Sequence, residues 1–294
     1  MLKNELTDTI PWVIEDDLDI AIEITDVTKI FTQWQRENAE KKGIFKNLFK
    51  PQKKIITALD NTSFSVKRGE FIAYAGANGA GKSTTMKLLA GMLQPTHGKI
   101  KVMGLSPDKN RVKLMKKLGV LFGNRTELWY DHPVSQSFEW KKVVWDIPDE
   151  VYRRNLEMVT ELLDIGELLK TFVRELSLGQ RMRADLAMML LHSPEVILLD
   201  EPTLGLDVVA KRQMIDFLKK INRDNNITII VTSHDMDDLE EMAQRIIMVS
   251  NGKIAYDGDF DGLRTLVGDI TETEVVVKKV PIEKVIVELY KTWK

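Results

Sequence analysis

The stretch GANGAGKSTTMKLLAGML, Gly76 to Leu93, holds four glycines and sets a lysine ahead of an apolar run. Each glycine in regular structure costs roughly 0.5–1 kcal/mol relative to alanine, so something must need this backbone bare. Gly76, Gly81, Lys82 and Ser83 fit the pattern G-x-x-x-x-G-K-[ST]. Residues 70–75 read as a strand and 83–93 as a helix that ends before Pro95. A glycine-rich loop between strand and helix offers successive N–H groups and a helix dipole to an anion, and a Cβ on the glycines would crowd phosphates. Gly76, Asn78, Gly79, Ala80, Gly81, Lys82, Ser83 and Thr84 are therefore the candidate phosphate-binding segment. Lys82 would reach the β- and γ-phosphates, and the Ser83 hydroxyl would ligate Mg²⁺.

The rest of the chain sets bounds on that reading. Its 294 residues suit one large domain or two modest ones. Lys and Arg total 42 against 44 Asp and Glu, a formal net charge of −2 that gives no bulk argument for a nucleic-acid partner. There is no cysteine, which excludes disulfides, thiolate catalysis and cysteine-based zinc sites. No segment approaches the ~18 apolar residues of a membrane span. The acidic start, MLKNELTDTIPWVIEDDLDI, does not read as a secretory signal. A soluble protein is expected.

Along the chain, residues 1–17 read as a flexible acidic tail. LDIAIEITDVTKIF (18–31) alternates like a strand, and residues 32–54 interrupt it with seven basic residues against two acidic ones. Within that insertion Ile44, Phe45, Leu48 and Phe49 would share one side of a short helix that Pro51 stops, a basic amphipathic segment suited to a membrane surface, a partner, or simply the β layer beneath it. SFSVKRGEFIAYAGA resumes the strand pattern around an Arg68-Gly69 turn. The middle, 106–192, is helix-rich. EVILLDE (195–201) and ITIIVTSHD (227–235) are continuous apolar runs, the mark of parallel strands buried on both faces. RIIMVSNGKIAYDG closes as a hairpin with Asn251-Gly252 at its turn, and 262–294 reads as a small strand–helix extension. Strands alternating with helices predict an α/β fold with functional groups at the carboxyl ends of the strands.

Three further segments complete a constellation. Asp200 ends an apolar strand and can hold Mg²⁺ through its water shell; Glu201 follows as a candidate general base for water. Ser177, Gly179 and Gln180 open a long helix in LSLGQRMRADLAMMLLH, again a hydroxyl and a dipole end for an anion. This LSLGQ, Leu176 to Gln180, lies 23 residues before Asp200 and resembles the signature of the ATP-binding cassette (ABC) ATPases, usually LSGGQ. The resemblance runs from about residue 20 to 260. PTLGLD, with Asp207, is similar to the family's D-loop, and His234, 33 residues after Glu201, to its switch histidine.

The resemblance implies a P-loop RecA-like core with an antiparallel β subdomain and a helical subdomain near 125–190, within an ATPase domain spanning 18–261. It implies ATP and Mg²⁺, a head-to-tail homodimer or paired ABC ATPase, and a location at the cytoplasmic face of the membrane, where the ATPase powers export through a separate transmembrane permease. Each ATP would lie between Gly76–Thr84 of one subunit and Ser177–Gln180 of the other. Asn124 takes the place of the family's glutamine that links Mg²⁺ to the helical subdomain, one methylene shorter. Phe31 is positioned for the aromatic that stacks on adenine, with Phe45 and Phe49 as alternatives. Two other readings stay open: a soluble ABC ATPase of DNA repair or translation, and a regulatory nucleotide binder that barely hydrolyses.

Overall fold

The apolar runs build a six-stranded sheet, in the order β5-β6-β7-β3-β8-β9. These are β3 (Phe71–Gly76), β5 (Leu118–Phe122), β6 (Val196–Asp200), β7 (Thr228–Thr232), β8 (Arg245–Ser250) and β9 (Lys253–Gly258). All neighbours pair parallel except β8 and β9, which form the expected hairpin with Asn251 and Gly252 at positive φ. The computed structural model describes residues 19–35, 52–123 and 126–266. The predicted acidic tail, Asn124, Phe45 and Phe49 with most of the basic insertion, and the strand–helix reading of 267–294 lie outside the described residues.

Period-two alternation makes this sheet a wall between two cores. Phe71, Ala73 and Ala75 face one core, with Ile197, Leu199, Ile229, Val231, Ile246 and Met248 from neighbouring strands. Ile72 and Tyr74 face the other with Val196, Leu198, Ile230, Ile247 and Val249. Both faces need apolar side chains, which is why the segments of β6 and β7 read as unbroken apolar runs. At about 25 cal/mol per Å² of apolar surface removed from water, burial on two faces is the main stabilising term for such strands. On the first side pack α5 (Leu178–Leu190), α6 (Val208–Asn225) and α7 (Met236–Met242). On the second pack α1 (Lys82–Leu89) and a three-stranded antiparallel sheet, β2-β1-β4, made of β1 (Ile20–Gln35), β2 (Gln52–Lys67) and β4 (His97–Val102).

Register aligns the carboxyl ends that matter. Phe122 pairs with Asp200 and Asp200 with Thr232, while Ala73 pairs with Val231, so the ends of β5, β6, β7 and β3 form one row. The short α2 (Arg111–Met115) leads into β5 and buries Leu114 in the second core, while the helices α3 (Val134–Trp145) and α4 (Asp149–Leu162) pack with α5 in the first. The last described helix is α8 (Phe260–Thr265).

Several boundaries differ from expectation. β1 continues four residues past Phe31, and β2 starts at Gln52, so both ends of the supposed interruption are paired strand, down to Gln35 opposite Gln52. Cross-strand pairing overrides the polar composition of TQWQ and QKK there. β5 lies inside the segment read as helix-rich. α8 crosses the expected boundary at 261, because Asp259 caps it and Phe260 and Leu263 are buried in the main core.

Candidate active site

The loop from β3 to α1 leaves Ala77, Asn78 and Gly79 exposed. A Cβ on Gly76 would come within 2.3 Å of the Val249 carbonyl oxygen, and one on Gly81, at φ +115°, within 2.5 Å of that of Ala58. The bareness attributed to phosphate is thus already demanded at these two positions by the protein's own backbone. At Gly79 a Cβ would meet nothing within 4 Å, and only its φ of +81° favours glycine. Among the described residues no hydrogen bond takes the N–H of Gly81, Lys82, Ser83 or Thr84, the donors of the first turn of α1. They are oriented for an anion.

Lys82 is buried, and its Nζ donates to the carbonyls of Gly76 at 2.7 Å and Ala77 at 3.3 Å. Burial lowers its pKa, against the pull of the Glu201 and Asp200 carboxylates. Those carboxylates close the other side of the site. Thr232, the last residue of β7, donates its hydroxyl to Asp200 Oδ1 at 2.6 Å. The same residue accepts the Glu201 N–H, at 3.0 Å on its carbonyl and 3.1 Å on its Oγ1. Glu201 adopts φ +58°, a left-handed conformation costly for a residue with a Cβ. Its Oε1 lies 2.6 Å from Nε2 of His234, two residues beyond β7. Lys211 of α6 steadies the following turn through Asp235 at 2.7 Å and Asp238 at 3.0 Å. A cavity of about 200 Å³ lined by Glu201, Gly205, Lys211, Ser233 and His234 opens beside the pair.

The signature segment opens α5. Ser177 caps α5 with a reciprocal box: its Oγ accepts from Gln180 N at 3.2 Å, and Gln180 Oε1 accepts from Ser177 N at 2.9 Å. The start of α5 packs on the first turn of α6, where a Cβ on Gly179 would touch Ala210 at 3.3 Å. Asp207 caps α6 through the Ala210 N–H at 2.9 Å. Among the described residues no hydrogen bond joins Ser177–Gln180 to 76–84. Leu178, Leu204, Val208 and Val209 are exposed around it, Val208 to 83%.

Phe31, the last residue of the stretch read as a strand over 18–31, lies within β1, half-buried opposite Ile56, with Lys29 Nζ 5.1 Å from its ring centre. Asn124 lies outside the described residues; the residue before it, Gly123, donates its N–H to the Asp200 carbonyl at 2.8 Å. The sequence reading passed over Thr232 and Lys211. Thr232 had a faint signal, the one hydroxyl closing an apolar run, whereas a lysine on a helix carries none.

Residues 59–204 match the model of the ABC transporter family. A putative ABC transporter ATP-binding protein of Clostridium acetobutylicum is 32% identical over 203 residues, 68% of this chain and 73% of that protein. The chain belongs to the ABC transporter ATP-binding family. It is an ABC ATPase, with ATP as its nucleotide. The ABC transporter ATP-binding protein NatA of Bacillus subtilis is similar at 28% identity over 73% of this chain and 87% of its own. Among solved structures, an ATP-binding subunit of an ABC transporter superposes with a TM-score of 0.72 at 20% identity, over 92% of this chain and 99% of that one, a likeness of fold. This ABC cassette has no helix among its described residues long and apolar enough to cross a membrane.

Proposed function

We propose that this ABC ATPase powers export through a separate membrane-spanning subunit, closing head-to-tail on a second ATPase around two ATP molecules. The observation that carries the mechanism is the 2.6 Å contact between Glu201 and His234, beside Asp200 at the end of β6 and within the electrostatic reach of Lys82 at the start of α1. Lys82 and the free N–H groups of α1 hold the phosphates. Glu201 accepts a proton from the water whose oxygen bonds to the γ-phosphorus as the bond to the ADP oxygen breaks. His234 orients Glu201 and the γ-phosphate, and Thr232 fixes the strand end that presents both carboxylates.

The residues fit a magnesium ion. Ser83 Oγ and the second oxygen of Asp200 have no hydrogen-bond partner among the described residues, and both are hard oxygen ligands. No cluster of three or more acidic or histidine side chains exists there to hold a metal alone, so phosphate oxygens and water must complete the shell. Bound there, the ion would offset charge on the phosphates; Asn124 would join by its carboxamide.

The dimer reading is supported by the exposed signature face, whose anion-binding groups have no nucleotide loop of their own within reach of a hydrogen bond. Mixing Ser177→Arg with Lys82→Ala chains tests it. A composite geometry leaves one intact site in the mixed dimer, and partial turnover returns. Mixtures as inactive as either parent would contradict it. Export is the narrower part, since relatives are named for methionine import and for bacitracin transport alike. Nucleotide-driven accumulation in inside-out vesicles carrying the membrane subunit would support it, and accumulation only in right-side-out vesicles would overturn it.

A further inference from the structure

Tyr74 and Thr85 form a buried polar pair that the mechanism above does not use. They flank the phosphate loop, Tyr74 on β3 and Thr85 on α1, and both are enclosed by protein, at 0% and 1% exposure. Tyr74 shares the second core with Met86, Leu89 and Phe64, whose ring centre lies 5.7 Å from its own. The Tyr74 hydroxyl is 3.1 Å from Thr85 Oγ1. Thr85 Oγ1 donates to the Gly81 carbonyl at 3.1 Å, and the Thr85 N–H reaches the same oxygen at 2.9 Å. Thr85 has one hydroxyl proton, and Gly81 takes it, so Tyr74 is the donor of the pair. Burial pushes the Tyr74 phenol up to about 12, which keeps that proton in place at neutral pH. The chain therefore runs one way, from Tyr74 O–H through Thr85 O–H to the Gly81 carbonyl.

The Gly81 carbonyl and the Lys82 N–H belong to one planar trans peptide and point in opposite directions. Pinning the carbonyl into the first turn of α1 aims the Lys82 N–H toward the open end of that helix. The peptide before it is held in the same way from another quarter: the Gly252 N–H, in the β8–β9 turn, donates to the Ala80 carbonyl at 3.1 Å and so aims the Gly81 N–H. A helical threonine that bonds back to the carbonyl four residues earlier has a second rotamer open to it, and the Tyr74 donor selects the first. An apolar pair would fill the same space without the cost of desolvating two hydroxyls. We propose that Tyr74 and Thr85 are positioning residues for nucleotide binding, their hydrogen-bond chain locking the Gly81–Lys82 peptide with its N–H toward the phosphates. The proposal rests on the reading of Gly76–Thr84 as the phosphate-binding segment.

The test uses the full chain, with equilibrium binding of Mg-ATP, steady-state turnover and thermal unfolding. Tyr74→Phe and Thr85→Val each break the chain, and Thr85→Val also leaves the Tyr74 hydroxyl buried without its acceptor. Thr85→Ser keeps the chain, and the double variant Tyr74→Phe/Thr85→Val removes both hydroxyls. ATP affinity should fall about three- to tenfold in Tyr74→Phe, Thr85→Val and the double variant, the scale of one neutral hydrogen bond, and stay at the wild-type value in Thr85→Ser. Turnover at saturating ATP should stay within about twofold of wild type throughout, because Glu201 and His234 are untouched. Melting temperature should drop in Thr85→Val and return in the double variant, where no hydroxyl is left orphaned. Affinity that returns together with melting temperature in the double variant would make the pair structural only and overturn the inference. Wild-type affinity in Tyr74→Phe, or a serine variant as weak as the valine one, would overturn it too. If Lys82→Ala binds ATP as wild type does, the reading of the loop beneath the inference has failed instead.

Discussion

Thr232 shows how little side chain can hold an active site together. Its single hydroxyl donates to the Asp200 carboxylate and accepts the Glu201 N–H, so the Asp200 side chain and the Glu201 backbone share one support. Thr232→Val keeps the shape and should leave ATP binding intact while turnover drops about 10–100-fold, the worth of a hydrogen bond to a charged group; steady-state ATPase with equilibrium ATP binding measures both. Asp185 gives a pH prediction. Burial raises its pKa to about 7, with the Thr126 and Glu127 donors opposing. A carboxyl raised in the folded state contributes stability that is fully present below its unfolded value near 4 and is lost as pH rises through about 7. Asp185→Asn should therefore gain melting temperature relative to wild type between pH 5 and pH 8, by a difference of at most about 4 kcal/mol. A constant difference across that range would contradict the assignment. Lys82, Ser83, Asp200, Glu201 and His234 were readable in the sequence because each stands at a fixed offset from a strand or helix end. Thr232 and Lys211 were not, because their roles come from which strands and helices neighbour one another.

Among the elements, the phosphate loop carries two kinds of glycine. Gly81 abuts the Ala58 carbonyl of β2 while Gly79 abuts nothing, although both have positive φ. Gly79→Ala should cost about 1–2 kcal/mol, the strain of a left-handed alanine. Gly81→Ala must add a backbone collision, and its melting temperature should fall clearly further; equal losses in thermal unfolding would mean that the β subdomain does not press on the loop. The central strands β6 and β7 were legible as unbroken apolar runs because both their faces are buried. β5, LGVLF, was hidden in helical surroundings, since five apolar residues suit a buried helix as well as a strand. The full length of the β1–β2 hairpin was missed because its outer residues gain their place from cross-strand pairing, which leaves no local pattern.

For the whole molecule the central claim is assembly: the phosphate loop and the signature segment, not joined by any hydrogen bond among the described residues, are brought together by a second subunit. Val208 and Val209 lie on the exposed signature face beside Leu204 and Leu178. Val208→Glu with Val209→Glu should leave ATP affinity and melting temperature of the monomer unchanged while suppressing dimer formation, read by sedimentation. That arrangement is implied by the family resemblance alone, because a surface that meets another chain has no periodicity of its own. The most direct measurement is light scattering of Glu201→Gln with and without Mg-ATP. The expected protein is a monomer that doubles in mass when Mg-ATP is added, binds ATP as wild type does, and turns over about 10²–10⁴-fold more slowly, the usual loss of a general base. A Glu201→Gln protein that stays monomeric at saturating Mg-ATP, or hydrolyses within about threefold of wild type, would contradict it.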